Sequence, residues 1–210
     1  MKEYPRKVCF GLLLVLLLAA CAPVKPISTW KDDNYSGPLG KTMILVVARE
    51  DYIRQQFENV LADKLRQRGI EAISSHKVLP ERITKSDRDA VIAKVEELGV
   101  QNVLLARSIN QKEIVNQQYR GPFFAPTGVY EDGWYSWYEG FMVYPQTEYQ
   151  TSFFTMAVNL FAIGKNKPVW SFLSQVKVGD ARQKAVNEFV PVIMQQLTTD
   201  GLVKASGKGD

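Results

Sequence analysis

The sequence predicts one domain of the mixed α/β class, in which a single mixed sheet of about five strands carries packed helices. Three observations lead to this prediction. In the first half, short apolar runs are followed by segments whose apolar residues have helical spacing. In the second half, two segments in which apolar and polar residues alternate flank a turn. A segment with helical spacing ends the chain. The predicted order of elements is β-α-β-α-β-β-β-α, and 210 residues suffice for one such domain.

The first half opens on residues 43–48, a continuous apolar run that is typical of a strand buried on both faces. A helix follows, because its apolar residues recur at spacings of three and four. Asp51 can cap its start and Gly69 can end it. The apolar residues of this helix are Ile53, Phe57, Val60, Leu61 and Leu65.

A second strand is predicted over residues 70–74 and a third over residues 102–109. Between them, Ser86 can cap a second helix that Gly99 closes. Val91, Val95 and Leu98 share one face of that helix.

The second half contains a predicted hairpin with arms 148–163 and 168–178 around a turn at residues 164–167. Apolar residues alternate onto one face of each arm, with Ser174 as a gap. The first arm contributes Phe154, Met156, Val158, Leu160 and Ala162, and the second contributes Trp170, Phe172, Val176 and Val178.

The last predicted helix runs from about Asp180 to about Gly201. Four of its apolar residues should face the sheet, namely Phe189, Ile193, Met194 and Leu197. Pro191 lies inside this segment and predicts a kink or a break there, because proline lacks an N–H.

The amino terminus is typical of a secretory signal peptide over residues 1–20. Lys2, Arg6 and Lys7 precede an apolar run that ends in Ala19 and Ala20. The run has only about 13 apolar residues, whereas a membrane span needs about 20. Residues 21–40, rich in proline and glycine, are predicted to form a flexible tether, residues 41–203 the domain, and residues 204–210 a disordered tail.

An aromatic-rich insertion occupies residues 119–144, which hold ten of the chain's 4 Trp, 9 Tyr and 10 Phe residues. Three interpretations compete: a hairpin that extends the sheet, a protein-binding surface, or a segment that dips into lipid headgroups. If this segment formed strands, the alternation of side chains would place its aromatic residues on both faces. One face of the sheet could then not bury them all. The candidate partner-binding residues are Phe123, Phe124, Tyr130, Trp134, Tyr135, Trp137 and Tyr138.

Catalytic and metal chemistry find little support in the sequence. His76 is the only histidine, and it lies in a polar Ser-Ser-His-Lys loop that is predicted to be solvated. We therefore expect no enzyme activity, no metal and no cofactor. Carboxylates at Glu131, Asp132 and Glu139, beside aromatic residues, leave a glycan hydrolase as a weaker alternative. The net charge of +4 includes +2 from residues 1–20, and the remainder is too small to suggest nucleic acid binding.

The residues Leu18-Ala19-Ala20-Cys21 resemble the lipobox of bacterial lipoproteins. The resemblance implies that the thiol of Cys21 receives a diacylglycerol, that cleavage follows Ala20, and that the new amino terminus is acylated. Cys9 then leaves with the signal and Cys21 is modified, so the mature chain holds no disulfide. In such proteins an aspartate after the cysteine commonly retains the protein in the inner membrane. Ala22 therefore favours the outer membrane, with the domain on its periplasmic face.

Several features beyond the lipobox resemble uncharacterised periplasmic lipoproteins of Gram-negative bacteria. They are Trp30-Lys31-Asp32, Tyr35-Ser36-Gly37-Pro38, the opening apolar strand, and the closing Val169-Trp170 strand with its final helix. The element order is also similar to the domains of curli-secretion and penicillin-binding-protein-activator lipoproteins.

The sequence thus leads to the hypothesis of a lipid-anchored, non-enzymatic lipoprotein that binds an unknown envelope protein through residues 119–144. The alternative is a subunit of a homo-oligomeric assembly at the membrane.

Overall fold

The computed structural model describes residues 24–48, 50–79, 87–109, 153–177 and 182–205. These residues form one mixed sheet of six strands and three helices, which confirms the predicted fold class. The strands are β1 (Val24–Lys31), β2 (Thr42–Val47), β3 (Ala72–Ser74), β4 (Asn102–Ile109), β5 (Phe153–Ala162) and β6 (Trp170–Lys177). The helices are α1 (Asp51–Arg66), α2 (Arg88–Glu97) and α3 (Arg182–Thr199).

The spatial order of the strands is β1-β6-β5-β4-β2-β3. β2 pairs in parallel with both β3 and β4, as the two helical crossovers of the first half require, and all other pairs are antiparallel. One end of the sheet therefore gathers the ends of β2, β3, β4 and β6 and the starts of β1 and β5. We call it the upper end; it is marked by Val24, Val47, Ile109 and Phe153.

The core lies on both faces of the sheet, as continuous apolar runs in β2 and β4 predict. On one face α1 and α3 pack against the sheet, and the rings of Phe57 and Phe189 meet edge to face with centroids 5.7 Å apart. On the other face Val91 and Val95 of α2 pack against β2 and β4. The four α3 residues predicted to face inward, Phe189, Ile193, Met194 and Leu197, are all buried, which confirms that part of the prediction.

The structure corrects the predicted tether, because residues 24–31 form the edge strand β1 instead of a flexible chain. β1 pairs with β6 along its length, from Val24 opposite Val176 to Lys31 opposite Trp170. A β-bulge between Pro26 and Ser28 interrupts this register. Proline is tolerated there because an edge strand needs hydrogen bonds on only one side.

At the opposite end of the sheet, which we call the lower end, hydrogen bonds also hold β1 to the end of the last helix. The carboxylate of Asp200, just after α3, accepts hydrogen bonds from Trp170 Nε1 at 2.6 Å and from Thr29 Oγ1 at 3.1 Å. The Lys31 ammonium donates to the Asp200 backbone carbonyl at 2.8 Å. These contacts hold β1 as an integral part of the domain.

α3 continues through Pro191, so the predicted break does not occur. Pro191 is exposed, and the carbonyl that loses its helical partner belongs to Asn187, which is also exposed, so water can hydrogen-bond to it. Val190 and Ile193 on either side are fully buried and hold both halves of the helix on the sheet.

Tyr35 gives the domain a predicted sensitivity to alkaline pH. Its hydroxyl donates to Asn102 Oδ1 at 2.7 Å, and burial raises its pKa above the ordinary 10.0. The folded state thus holds the phenol proton more tightly than the unfolded state does. We expect the contribution of the protonated Tyr35 to the free energy of unfolding to be complete below pH 10.0. It should be lost as the pH rises above that value.

The measurement is the difference in melting temperature between wild type and Tyr35→Phe at pH 9 to 11. We expect the wild type to lose more stability than Tyr35→Phe across that range. The exposed Tyr52 allows a control variant, Tyr52→Phe, with the same chemical change. Parallel curves for wild type and Tyr35→Phe would contradict the prediction.

Candidate functional site

The described residues place one buried charged cluster at the upper end of the sheet, where β3 stops short of β2. β3 pairs with β2 only as far as Ile44 opposite Ser74. Beyond that point the backbone N–H of Val46 donates to Glu58 Oε1 at 3.0 Å. The Glu58 carboxylate of α1 therefore takes the place that a longer β3 would occupy.

The Glu58 side chain is fully buried, and its two oxygens accept hydrogen bonds from three other residues. Oε1 accepts from Arg54 Nε at 3.1 Å and from Ser75 Oγ at 2.7 Å. Oε2 accepts from the backbone N–H of His76 at 2.7 Å and lies 2.9 Å from His76 Nδ1. Arg54 also donates from its Nη2 to Ser75 Oγ at 3.0 Å. A buried carboxylate needs such a complete set of donors.

The cluster corrects the predicted solvated loop at residues 74–77. Ser74 and Ser75 are fully buried, and the His76 side chain is only 14% exposed. This segment follows β3 as one turn of 3₁₀ helix. Its polar side chains face inward because Glu58, Arg54 and Asn59 of α1 supply their partners.

Ser75, His76 and Glu58 are brought together, but their hydrogen bonds differ from those of a hydrolytic triad. In a triad the serine donates to the histidine, which donates to the acid. Here the Ser75 hydroxyl donates its only proton to Glu58. With Glu58 as acceptor, His76 Nδ1 carries a proton, so the carboxylate fixes the orientation of the ring. The arrangement stabilises the junction of β2, α1 and the segment after β3.

Sequence reasoning missed this cluster, although a signal was present. Arg54 and Glu58 lie on the same helical stripe as Leu61 and Leu65, at spacings of four, three and four. All four are buried. An Arg and a Glu four residues apart on an apolar stripe indicate a buried ion pair, because exposed pairs belong on the opposite face.

The residues that the sequence singled out for function lie outside the described residues. This holds for Cys21, for the carboxylates of the alternative glycan hydrolase, Glu131, Asp132 and Glu139, and for every aromatic residue of 119–144. The described strands do fix where the longer segment that contains this insertion begins and ends. β4 ends at Ile109 and its neighbour β5 begins at Phe153, so residues 110–152 leave from and return to the upper end.

None of the helices in the described segments combines the length and apolar character needed to cross a membrane. Within the same segments, no three His, Cys, Asp or Glu side chains converge as a metal site would require.

Comparisons with known proteins found no matching family model and no matching curated protein. Two solved structures of the PelC dodecamer from Paraburkholderia phytofirmans are similar over 81% of this chain. One, a single-substitution variant, has a TM-score of 0.39, an identity of 14% and 94% of its chain covered. The other has a TM-score of 0.40, an identity of 13% and 93% of its chain covered.

Proposed function

We propose that this protein is a lipid-anchored outer-membrane lipoprotein whose non-enzymatic periplasmic domain acts as an envelope interaction or assembly factor. The anchor is Cys21 and the binding surface lies within residues 119–144. One observation carries the proposal: the anchor and the aromatic insertion join the folded domain at the same end of the sheet.

The distance between the anchor and the domain follows from β1. Val24 is the first residue of a paired strand, three residues after Cys21. Three extended residues reach at most about 10 Å. The headgroup layer on each side of a bilayer is itself about 5 to 8 Å thick. With Cys21 lipidated, the upper end of the sheet is therefore held at the membrane surface.

The position at which residues 110–152 join the domain favours one class of partner. Residues 110–152 join the domain at Ile109 and Phe153, both at the upper end. A segment that starts at the membrane surface lies beside the proteins of that membrane. Trp and Tyr are the residue types that dominate binding energy at protein interfaces. The proposed partner is accordingly a protein of the same membrane or a second copy of this chain.

The experiment is a pull-down of the detergent-solubilised full chain from membranes. Replacing Trp134, Tyr135, Trp137 and Tyr138 by alanine should reduce partner recovery by about tenfold or more, since single interface hot spots contribute about 2 kcal/mol or more. The matched control replaces the same four residues by phenylalanine, which keeps an aromatic ring at each position. It should retain most of the recovery.

Recovery that is unchanged in the alanine variant would contradict the proposed binding surface. Far-UV circular dichroism of both variants, compared with wild type, verifies that the domain remains folded. Recovery of the protein with further copies of itself and no other protein would identify the partner as a second copy of this chain. Measuring the mass of the complex by mass spectrometry distinguishes this outcome.

A further inference from the structure

One face of the sheet carries a buried apolar cluster that contains no helix residue. Ile109 on β4, Ala157 on β5 and Leu173 on β6 form this cluster, which we call the open-face cluster, and Leu173 is only 1% exposed. Successive residues of a strand alternate between the two faces of the sheet. Because Val158 and Phe172 belong to the core beneath α1 and α3, the open-face cluster lies on the opposite face.

The helix on that opposite face, α2, lies over another part of the sheet. Val91 and Val95 of α2 pack with residues of β2 and β4 and with Phe161 of β5. Phe161 is near the lower end of β5, opposite Val103. Among the described residues, the cluster around α2 includes none from β6. The position of α2 therefore does not explain why Leu173 is buried.

The side chains that surround Leu173 on this face are too small to bury it. Ala157 on β5 and Ser28 on β1 lie opposite Leu173 in the sheet, and Ser171 is two residues before it on β6. Side chains at such positions are about 5 to 7 Å apart, and alanine and serine are shorter than leucine. The end of a leucine on an open sheet would then remain in water. The burial of this face requires a further layer of protein.

The lengths and end points of the other segments indicate which one supplies that layer. Residues 178–181 connect β6 to α3 on the other face, and residues 206–210 contain no apolar side chain. Residues 80–86 start beyond β3, which lies four strands, or about 19 Å, from β6. They span at most about 25 Å, too little to reach β6 and return to α2. Residues 110–152 are long enough, and they start directly after Ile109 of the cluster.

We propose that the aromatic-rich insertion, residues 119–144, packs some of its side chains on this face of β5 and β6 and keeps the others for its partner. The inference deepens the proposed function and rests on it, because cleavage of the signal removes the apolar residues that precede β1. A segment docked on the sheet presents its remaining aromatic residues in a fixed arrangement. Such preorganisation lowers the entropy cost of binding a partner.

The chemistry of the face suits Tyr and Trp side chains, which have an apolar ring and one polar group. The open-face cluster is apolar and built partly of small residues, so it leaves room for rings. Thr155, Asn159 and Ser171 on the same face are buried beside it and carry polar groups that can hydrogen-bond to a Tyr hydroxyl or a Trp N–H.

The test measures nuclear Overhauser effects in the full, lipidated chain in detergent micelles. The sample carries protonated methyl groups of Ala and Leu and protonated aromatic rings in an otherwise deuterated chain. The probes are the methyl groups of Ala157 and Leu173. The control is Leu160 of β5, which is also fully buried but faces α1 and α3.

We expect the methyl groups of Ala157 and Leu173 to show effects to aromatic rings of residues 119–144, and Leu160 to show none to that segment. Absence of these effects from Ala157 and Leu173 would overturn the inference. Effects that arise only between chains, in a mixture of labelled and unlabelled copies, would overturn it as well, because a second copy would then cover the face. Both outcomes leave the anchor in place. Protein whose intact mass retains residues 1–20 or lacks the acyl chains would instead overturn the proposed function.

Discussion

Replacing Glu58 by alanine is expected to destabilise the domain by about 3 to 5 kcal/mol, the usual cost of removing one partner from a buried ion pair. The variant leaves the Val46 N–H without this acceptor and buries the Arg54 guanidinium without this carboxylate. It also removes the acceptor for Ser75 and for His76. Urea unfolding followed by circular dichroism measures the free energy of unfolding.

The chain provides a matched control on the same helix. Asp63 pairs with Arg66 on the exposed side of α1, where the side chains of Asp63 and Arg66 are 63% and 43% exposed. Asp63→Ala should cost at most about 1 kcal/mol, because exposed ion pairs contribute little. Equal losses for Glu58→Ala and Asp63→Ala would contradict the structural role of the cluster.

A double variant distinguishes the contribution of the ion pair to stability from the contribution of side-chain packing. Arg54→Met combined with Glu58→Met removes both charges while filling the space, so it should be clearly more stable than Glu58→Ala. A double variant that is as unstable as Glu58→Ala would show that the hydrogen bonds to Val46, Ser75 and His76 outweigh the charge pairing.

Replacing Cys21 by serine is expected to abolish lipid attachment and to leave the chain as an uncleaved precursor. The serine hydroxyl cannot take the place of the thiol as acceptor of the diacylglycerol. The substitution also removes the cysteine of the lipobox resemblance that implies cleavage after Ala20. Metabolic labelling with an alkyne-bearing palmitate analogue measures acylation. Intact mass spectrometry measures whether residues 1–20 are still present.

The second cysteine of the chain supplies the control. Cys9 lies in the apolar part of the proposed signal peptide, so Cys9→Ser should be labelled and cleaved like wild type. Persistent labelling of Cys21→Ser, or loss of labelling in Cys9→Ser, would show that Cys21 is not the lipid attachment site. Either result would remove the basis for holding β1 at the membrane.

Most of the sheet could be predicted from the sequence because its strands show clear periodicity. β2 and β4 are continuous apolar runs, and Phe172 and Val158 belong to regular alternation in β6 and β5. The predicted turn at Gly164 is also observed, with φ at +85°, a conformation that glycine adopts without strain. Local pattern and tertiary structure agree at these positions.

β1 could not be predicted because its bulge interrupts the alternation of apolar and polar residues that is typical of a strand. The apolar residues Val24, Ile27 and Trp30 recur every three residues, and Pro26 lies among them. Only pairing with β6 and the contacts of Asp200 with Trp170 and Thr29 make this segment a strand. Tertiary contacts, absent from the local sequence, decide its structure.

The buried cluster escaped prediction for a related reason. Ser75 and His76 belong to a polar run that is typical of a solvated loop, and only the three-dimensional position of Glu58 on α1 makes their burial favourable. The stripe of α1 indicates that Arg54 and Glu58 are buried, but nothing in the local sequence shows that Ser75 and His76 supply their partners.

The measurement that tests the central claim most directly is in-cell photo-crosslinking from positions 134 and 137, with position 166 as the control. The account predicts a discrete protein adduct from 134 and 137, identified by mass spectrometry, and none from 166. Lipid adducts alone, or no adduct from 134 and 137, would contradict a binding role for the aromatic insertion.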